Sequence, residues 1–165
     1  MNYLKRMQAV WLGRDALVCW LPPTVFGLVL RFWSLGFGLP NHFRPDEDMV
    51  VLPSLGMVGG NLDPHNYTYP TLYKYILVLI YRVCMALGLG AQGYDNAWQY
   101  AAYGFFVDRS FFFLVARVVS AVFGVLTIMA IYRVGELAYG RWVGGACAWF
   151  LSVSVLHVRD SHFGV

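Results

Sequence analysis

The chain is poor in charge. Lys, Arg, Asp and Glu make up 13% of its 165 residues, against about 25% in a typical soluble domain. With 59% of residues hydrophobic, this excludes an ordinary soluble domain and points to an integral membrane protein. The basic residues are scattered singly and the formal net charge is only +3, which excludes a nucleic-acid stripe or a polybasic tail. Cysteine is scarce as well. Cys19, Cys84 and Cys147 each lie in an apolar run, which suits small buried hydrophobes and excludes a disulfide framework or a cysteine metal cluster. The chain has no internal repeat and no low-complexity tract.

What is present in quantity is apolar run. Three segments are long enough to span a bilayer, which takes roughly 20 mostly apolar residues: about Ala16–Leu35, about Phe111–Ala138 and about Trp142–Val158. The first contains Pro22 and Pro23, which are expected to kink or loosen it, and Arg31 near its far end. No short apolar core with a small-residue cleavage site precedes it, so it reads as a retained helix rather than a signal peptide. A fourth run, "TLYKYILVLIYRVCMALGLG" from Thr71, is ambiguous. Lys74, Tyr81 and Arg82 recur at near-helical spacing, and Tyr73, Tyr75 and Tyr81 favour a membrane interface. The expected fold is an all-α polytopic membrane bundle, with a large first external loop over 36–108 carrying juxtamembrane helices.

Topology chooses between a crossing and a surface position for the Thr71 run. Lys5, Arg6 and Arg14 put the N-terminus in the cytoplasm, and Arg133 and Arg141 put the turn "GELAYGR" there too. An even number of crossings is then needed between Leu35 and Phe111. Zero is simplest, so the run at about 71–88 is expected to lie in the outer surface as an amphipathic helix. The third span then delivers "HVRDSHFGV", with Asp160, to the same extracytoplasmic face as Asp46.

The acids cluster where the first apolar run ends. "HFRPDEDMVV" places Asp46, Glu47 and Asp48 directly after Pro45. Proline in a first turn followed by acids is also the ordinary start of a surface helix. Neighbouring helical side chains diverge by about 100°, so at most two of the three acids face one site. His157, Arg159, Asp160 and His162 form a second polar group, equally compatible with a solvated membrane exit; the five-residue spacing of the histidines fits a zinc site poorly. In "GNLDPHNYTYPTLYKY", His65 and Tyr69 belong to an aromatic loop that suits a sugar ring or an interface belt. Arg117, near the outer edge of the long helix, is placed to hold a lipid-linked phosphate or to snorkel to headgroups. Ala116, Ser120 and Gly124, with Gly140 and Gly144, read as close helix packing.

The ordered blocks "LRFWSLGFGLPNHFRPDED", "GGNLDPHNYTYPTLYKYILVLIYR", "ARVVSAVFGVLTIMAIYRVGELAYGR" and "SVSVLHVRDSHFGV" resemble the N-terminal part of the GT-C superfamily of membrane glycosyltransferases. The nearest branch groups protein O-mannosyltransferases with aminoarabinose-lipid transferases. The resemblance runs from about Leu30 to the end and implies transfer of a sugar from a polyprenyl-phosphate donor on the extracytoplasmic side of the plasma membrane. It implies Asp46 as the catalytic acid, with Glu47 beside it and Asp160 as the second acid. Arg117, with Lys74 or Arg82 as substitutes, is then expected at the departing phosphate, and His65 and Tyr69 at the substrate. Branches differ in metal use; where a divalent ion takes part, Asp46 and Asp160 are its expected ligands. Members of this family are several times longer, so the chain is expected to be an N-terminal fragment, inactive alone. The competing classes are a transporter or channel subunit, with Arg31 and Arg117 lining an ion path, and a non-catalytic membrane assembly protein.

Overall fold

The computed structural model describes residues 14–40 and 44–164. Lys5, Arg6 and His42 lie outside the described residues. Among those described there are seven helices and no strand: α1 Arg14–Phe32, α2 Pro45–Val58, α3 Thr71–Ala86, α4 Ala97–Phe106, α5 Ser110–Tyr139, α6 Arg141–Val153 and α7 Val155–Ser161. Two are long and apolar enough to cross a membrane, α1 over Asp15–Phe32 and α5 over Ser110–Tyr139. The chain divides into two compact units. One comprises 14–33 and 121–162, the other 34–40, 44–120 and 163–164.

In the first unit, α1 continues through Pro22 and Pro23 without a break. The Thr24 hydroxyl donates to the Trp20 carbonyl at 2.7 Å and braces the turn holding the prolines. The turn from α5 to α6 pivots on Gly140 at φ +94°, a conformation costly for any residue with a Cβ. Beyond it the two helices nearly touch. A Cβ on Gly144 would come within 2.6 Å of the Tyr132 carbonyl oxygen. Arg141 pairs with Asp15 at 2.9 Å, so the start of α1 and the α5–α6 turn share one end of this unit.

The expected third span, about 142–158, is not a single helix. It breaks at Ser154 into α6 and α7, and α6 is roughly 20 Å long at 1.5 Å per residue. The break has a physical cause in Arg31. This fully buried guanidinium donates to the carbonyls of Gly27 at 3.0 Å, Ser152 at 3.3 Å and Leu151 at 3.2 Å, and to His157 Nδ1 at 2.8 Å. It therefore supplies donors that the last turn of α6 lacks and ties α7 to the same point. Nearby, His162 Nε2 lies 3.0 Å from the Trp33 carbonyl oxygen. The far end of α1 and the end of α7 thus share the other end of the unit.

The second unit packs α2, α3, α4 and the first turns of α5 around Val51, Leu55, Leu77, Tyr81, Tyr100 and Phe112. Phe112 stands edge-on to both Tyr81 and Tyr100, at 5.5 and 5.3 Å between ring centres. The tyrosine hydroxyls bury with partners, as buried phenols must. Tyr81 donates to the Phe112 carbonyl at 2.8 Å, Tyr100 to that of Leu89 at 2.9 Å and Tyr73 to that of Ala116 at 2.8 Å. Helix α3 begins at Thr71, as the sequence predicts, and buries Lys74, Leu77, Val78 and Tyr81. Arg82 does not share that face and is exposed. Seven residues bring Tyr81 to within about 20° of Lys74, whereas the eighth carries Arg82 about 80° away.

Candidate functional site

Helix α2 begins with Pro45, and its first turn holds all three acids. Their fates differ as the helical rotation requires. Glu47 is fully buried, while Asp46 and Asp48 are half-buried.

Glu47 anchors the second unit. Its two carboxylate oxygens accept from Arg117 Nε and Nη2, each at 2.8 Å, and Oε1 also accepts the Gly164 backbone N–H at 2.9 Å. Arg117, itself 2% exposed, uses Nη1 on the carbonyls of Leu35 and Phe37, both at 2.8 Å. This pair corrects two expectations. Glu47 is not presented as a second reacting acid, and Arg117 is not presented to a phosphate. The fork geometry and the burial of both groups make a bidentate clamp that joins α2, α5, the 35–37 segment and the chain near Gly164. Lys74 is corrected in the same way: its buried ammonium donates to the Asn66 carbonyl. Burial also pushes the Lys74 ammonium below the usual lysine range.

Asp46 is the acid that faces outward. Its carboxylate lies 3.7 Å from Arg44 Nε, with 46% of its side chain exposed. The neighbouring Asp46 carboxylate pushes the Tyr69 hydroxyl above the usual tyrosine range. The Arg44 guanidinium lies 4.9 Å over the Phe163 ring, and that of Arg117 lies 5.7 Å from the same ring. Phe163 thus forms one wall of a cluster whose other members are Arg44, Asp46 and Tyr69. The clamp underneath fixes the turn that carries Asp46.

The sequence singles out Asp46 and Tyr69 but not Arg44 or Phe163. The signal for Arg44 was its position two residues before Asp46 in "FRPDED". No pattern in the sequence pointed to Phe163, which arrives from 117 positions beyond Asp46.

His65 lies apart from this cluster, exposed, at φ +50°. Its Nδ1 is 3.5 Å from an Asp63 oxygen. Asp63 accepts from the Tyr67 hydroxyl at 2.6 Å and the His65 backbone N–H at 2.9 Å, and these two bonds hold its carboxyl below the usual range.

Asp160 belongs to the first unit. It is 52% exposed and accepts from Arg159 Nε and Nη2 at 3.0 and 2.9 Å. His157 meets Arg31 and His162 meets Trp33, so the two histidines serve different contacts. Among the described residues, no group of three or more His, Cys, Asp and Glu gathers into a metal site. The residues present around Asp46 include a guanidinium at close range, which does not fit a divalent ion. No family model, no curated protein and no solved structure matches this chain.

Proposed function

We propose that the chain carries the acidic centre of a membrane glycosyltransferase that uses a polyprenyl-phosphate sugar donor. The observation that carries the reading is the environment of Asp46. It is a half-exposed carboxylate beside an arginine and the Tyr69 phenol, on a turn clamped from below by a buried ion pair. A base for a weakly acidic hydroxyl needs this combination of access and fixed orientation.

In the proposed reaction, the acceptor hydroxyl oxygen attacks the anomeric carbon of the donor sugar. Its proton passes to Asp46, and the bond from the anomeric carbon to the phosphate oxygen breaks. The electron pair leaves with the polyprenyl phosphate. Tyr69 holds Asp46 in place, and Arg44 takes the part of phosphate partner first expected of Arg117. Glu47 and Arg117 act as positioning residues.

On this reading α1 and α5 span the bilayer, α3 lies in its outer surface, and Asp160 stands on the same extracytoplasmic side as Asp46. Two contacts within the first unit support that sidedness. Asp15–Arg141 gathers the ends expected in the cytoplasm, and Trp33–His162 brings the Asp160 block to the end where α1 hands the chain on toward Asp46. The transporter reading loses support, because the buried guanidiniums of Arg31 and Arg117 are bonded to carbonyls and to Glu47.

The test is cysteine substitution at positions 46 and 160, with a membrane-impermeant thiol reagent applied from outside intact cells. Labelling at both positions supports the reading; protection of either one from outside, with labelling after the membrane is opened, rejects it.

A further inference from the structure

The second unit contains a cavity of about 610 Å³ that Asp46 does not line. It opens between α2, the 61–65 loop and α4. Its apolar walls include Leu52, Met57 and Phe105, and its polar edge is Asp48, Asn61, Asp63 and His65. Trp98, 69% exposed, contributes a large flat ring. The indole lies against Gly59, where a Cβ would come within 2.9 Å of it. The volume falls in the range of small-molecule sites, and so does the mix of apolar wall and few convergent polar groups.

The lining decides the ligand class. It contains two carboxylates, an amide and an imidazole, and no Lys or Arg. A phosphate placed there meets like charge and no cationic partner, so the donor's lipid phosphate does not belong in it. Carboxylates and an amide carbonyl accept from hydroxyls, and an exposed indole offers an amphipathic face to a ring with an apolar side. We propose that this cavity is a saccharide subsite that takes an unphosphorylated sugar ring.

Within the glycosyltransferase reading, on which this role rests, the bound ring belongs to the acceptor and lies away from the bond being formed. Asp48 is about 200° around α2 from Asp46, but Met49, Pro53 and Met57, which also line the cavity, fall within about 60° of Asp46, so the cavity runs along the helix beyond the reacting acid. An acceptor of two or more rings, lying along α2, reaches both. Binding of the remote ring then positions the hydroxyl.

The experiment uses the whole chain in lipid nanodiscs, free of sugar detergents, with two probes built on one ring. Binding of methyl glucoside and of glucose 6-phosphate is followed by ligand-observed saturation-transfer NMR. The glucoside is expected to bind at least about tenfold more tightly than the phosphate ester, a ratio equivalent to one mispaired group. Trp98→Ala and Asp63→Asn are each expected to weaken glucoside binding about tenfold. Gly59→Ala, which displaces the indole without removing it, is expected to weaken binding as well. Asp46→Asn is expected to leave binding intact. Equal binding of both probes, no glucoside binding, or a glucoside signal indifferent to Trp98→Ala and Gly59→Ala overturns the proposal. Glucoside binding, with no transferase activity in the full-length protein, upholds the subsite and removes the enzyme reading. Transfer to an acceptor without saccharide, with no glucoside binding, does the reverse.

Discussion

Replacing Glu47 by Ala separates a structural part for this acid from a reacting one. Both partners of the Glu47–Arg117 pair are buried, at 0% and 2% exposure, so solvent screening does little to weaken it. Removing the carboxylate leaves the guanidinium buried without its counter-charge, which costs roughly 3–5 kcal/mol. The Gly164 N–H loses its acceptor too, at roughly 1–3 kcal/mol for a buried donor. Relaxation and water entry make these contributions overlap, so about 3–5 kcal/mol is the expected total. A double replacement, Glu47→Leu with Arg117→Met, removes both charges and should recover part of the loss. Recovery stays incomplete because the Leu35 and Phe37 carbonyls lose their donor. The assay is equilibrium unfolding in mixed micelles, read by tryptophan fluorescence, on the parent, Glu47→Ala, Glu47→Leu, Arg117→Met and the double variant. A Glu47→Ala protein within about 1 kcal/mol of the parent, where surface pairs fall, would refute the clamp. So would additive losses in the double variant, since residues in contact are expected to couple.

Three further outcomes follow from other contacts. Arg31→Met removes the donors to Leu151, Ser152 and His157, and should raise amide hydrogen exchange around Ser154 at least about tenfold, the equivalent of one lost bond; unchanged exchange would show that the α6–α7 break does not depend on Arg31. Burial raises the Tyr73 hydroxyl from 10.0 to about 12, so the folded chain holds that proton more tightly than the unfolded one. The resulting stability is whole below about pH 10 and is lost as pH rises toward 12; Tyr73→Phe should flatten this alkaline decline in a pH series of unfolding measurements, and an unaltered decline would contradict it. Tyr69→Phe should reduce transfer about tenfold while leaving unfolding unchanged, because Tyr69 is half-buried and orients Asp46 from the outside; equal activity, or loss of fold, would remove its positioning part.

The local features were legible and the distant partnerships were not. Pro45 ahead of three acids announced the start of α2, and Thr71 the start of α3, because capping and amphipathic spacing are written within a few residues. The two helices long and apolar enough to cross a membrane lie within apolar runs visible in the sequence. Glu47 and Arg117 are 70 residues apart, and no spacing rule joins them, so each was read as a free functional charge. Lys74 misled for the same reason, its partner Asn66 being a backbone carbonyl in an irregular loop. The break at Ser154 carries neither proline nor glycine; it depends on an arginine more than 120 positions earlier. Pro22 and Pro23 lie inside α1 without ending it, although each weakens an isolated helix. The contact of Asp46 with Arg44 is local, two residues apart in the chain, and so lies within reach of a sequence reading.

The most direct measurement compares sugar transfer in membranes carrying the full-length protein with Asp46 intact or replaced by Asn, supplied with a radiolabelled polyprenyl-phosphate sugar and matched for protein abundance. The account predicts transfer by the parent and a loss of about 10²- to 10⁴-fold in Asp46→Asn. Undiminished transfer in the variant, or none from the parent, would contradict it.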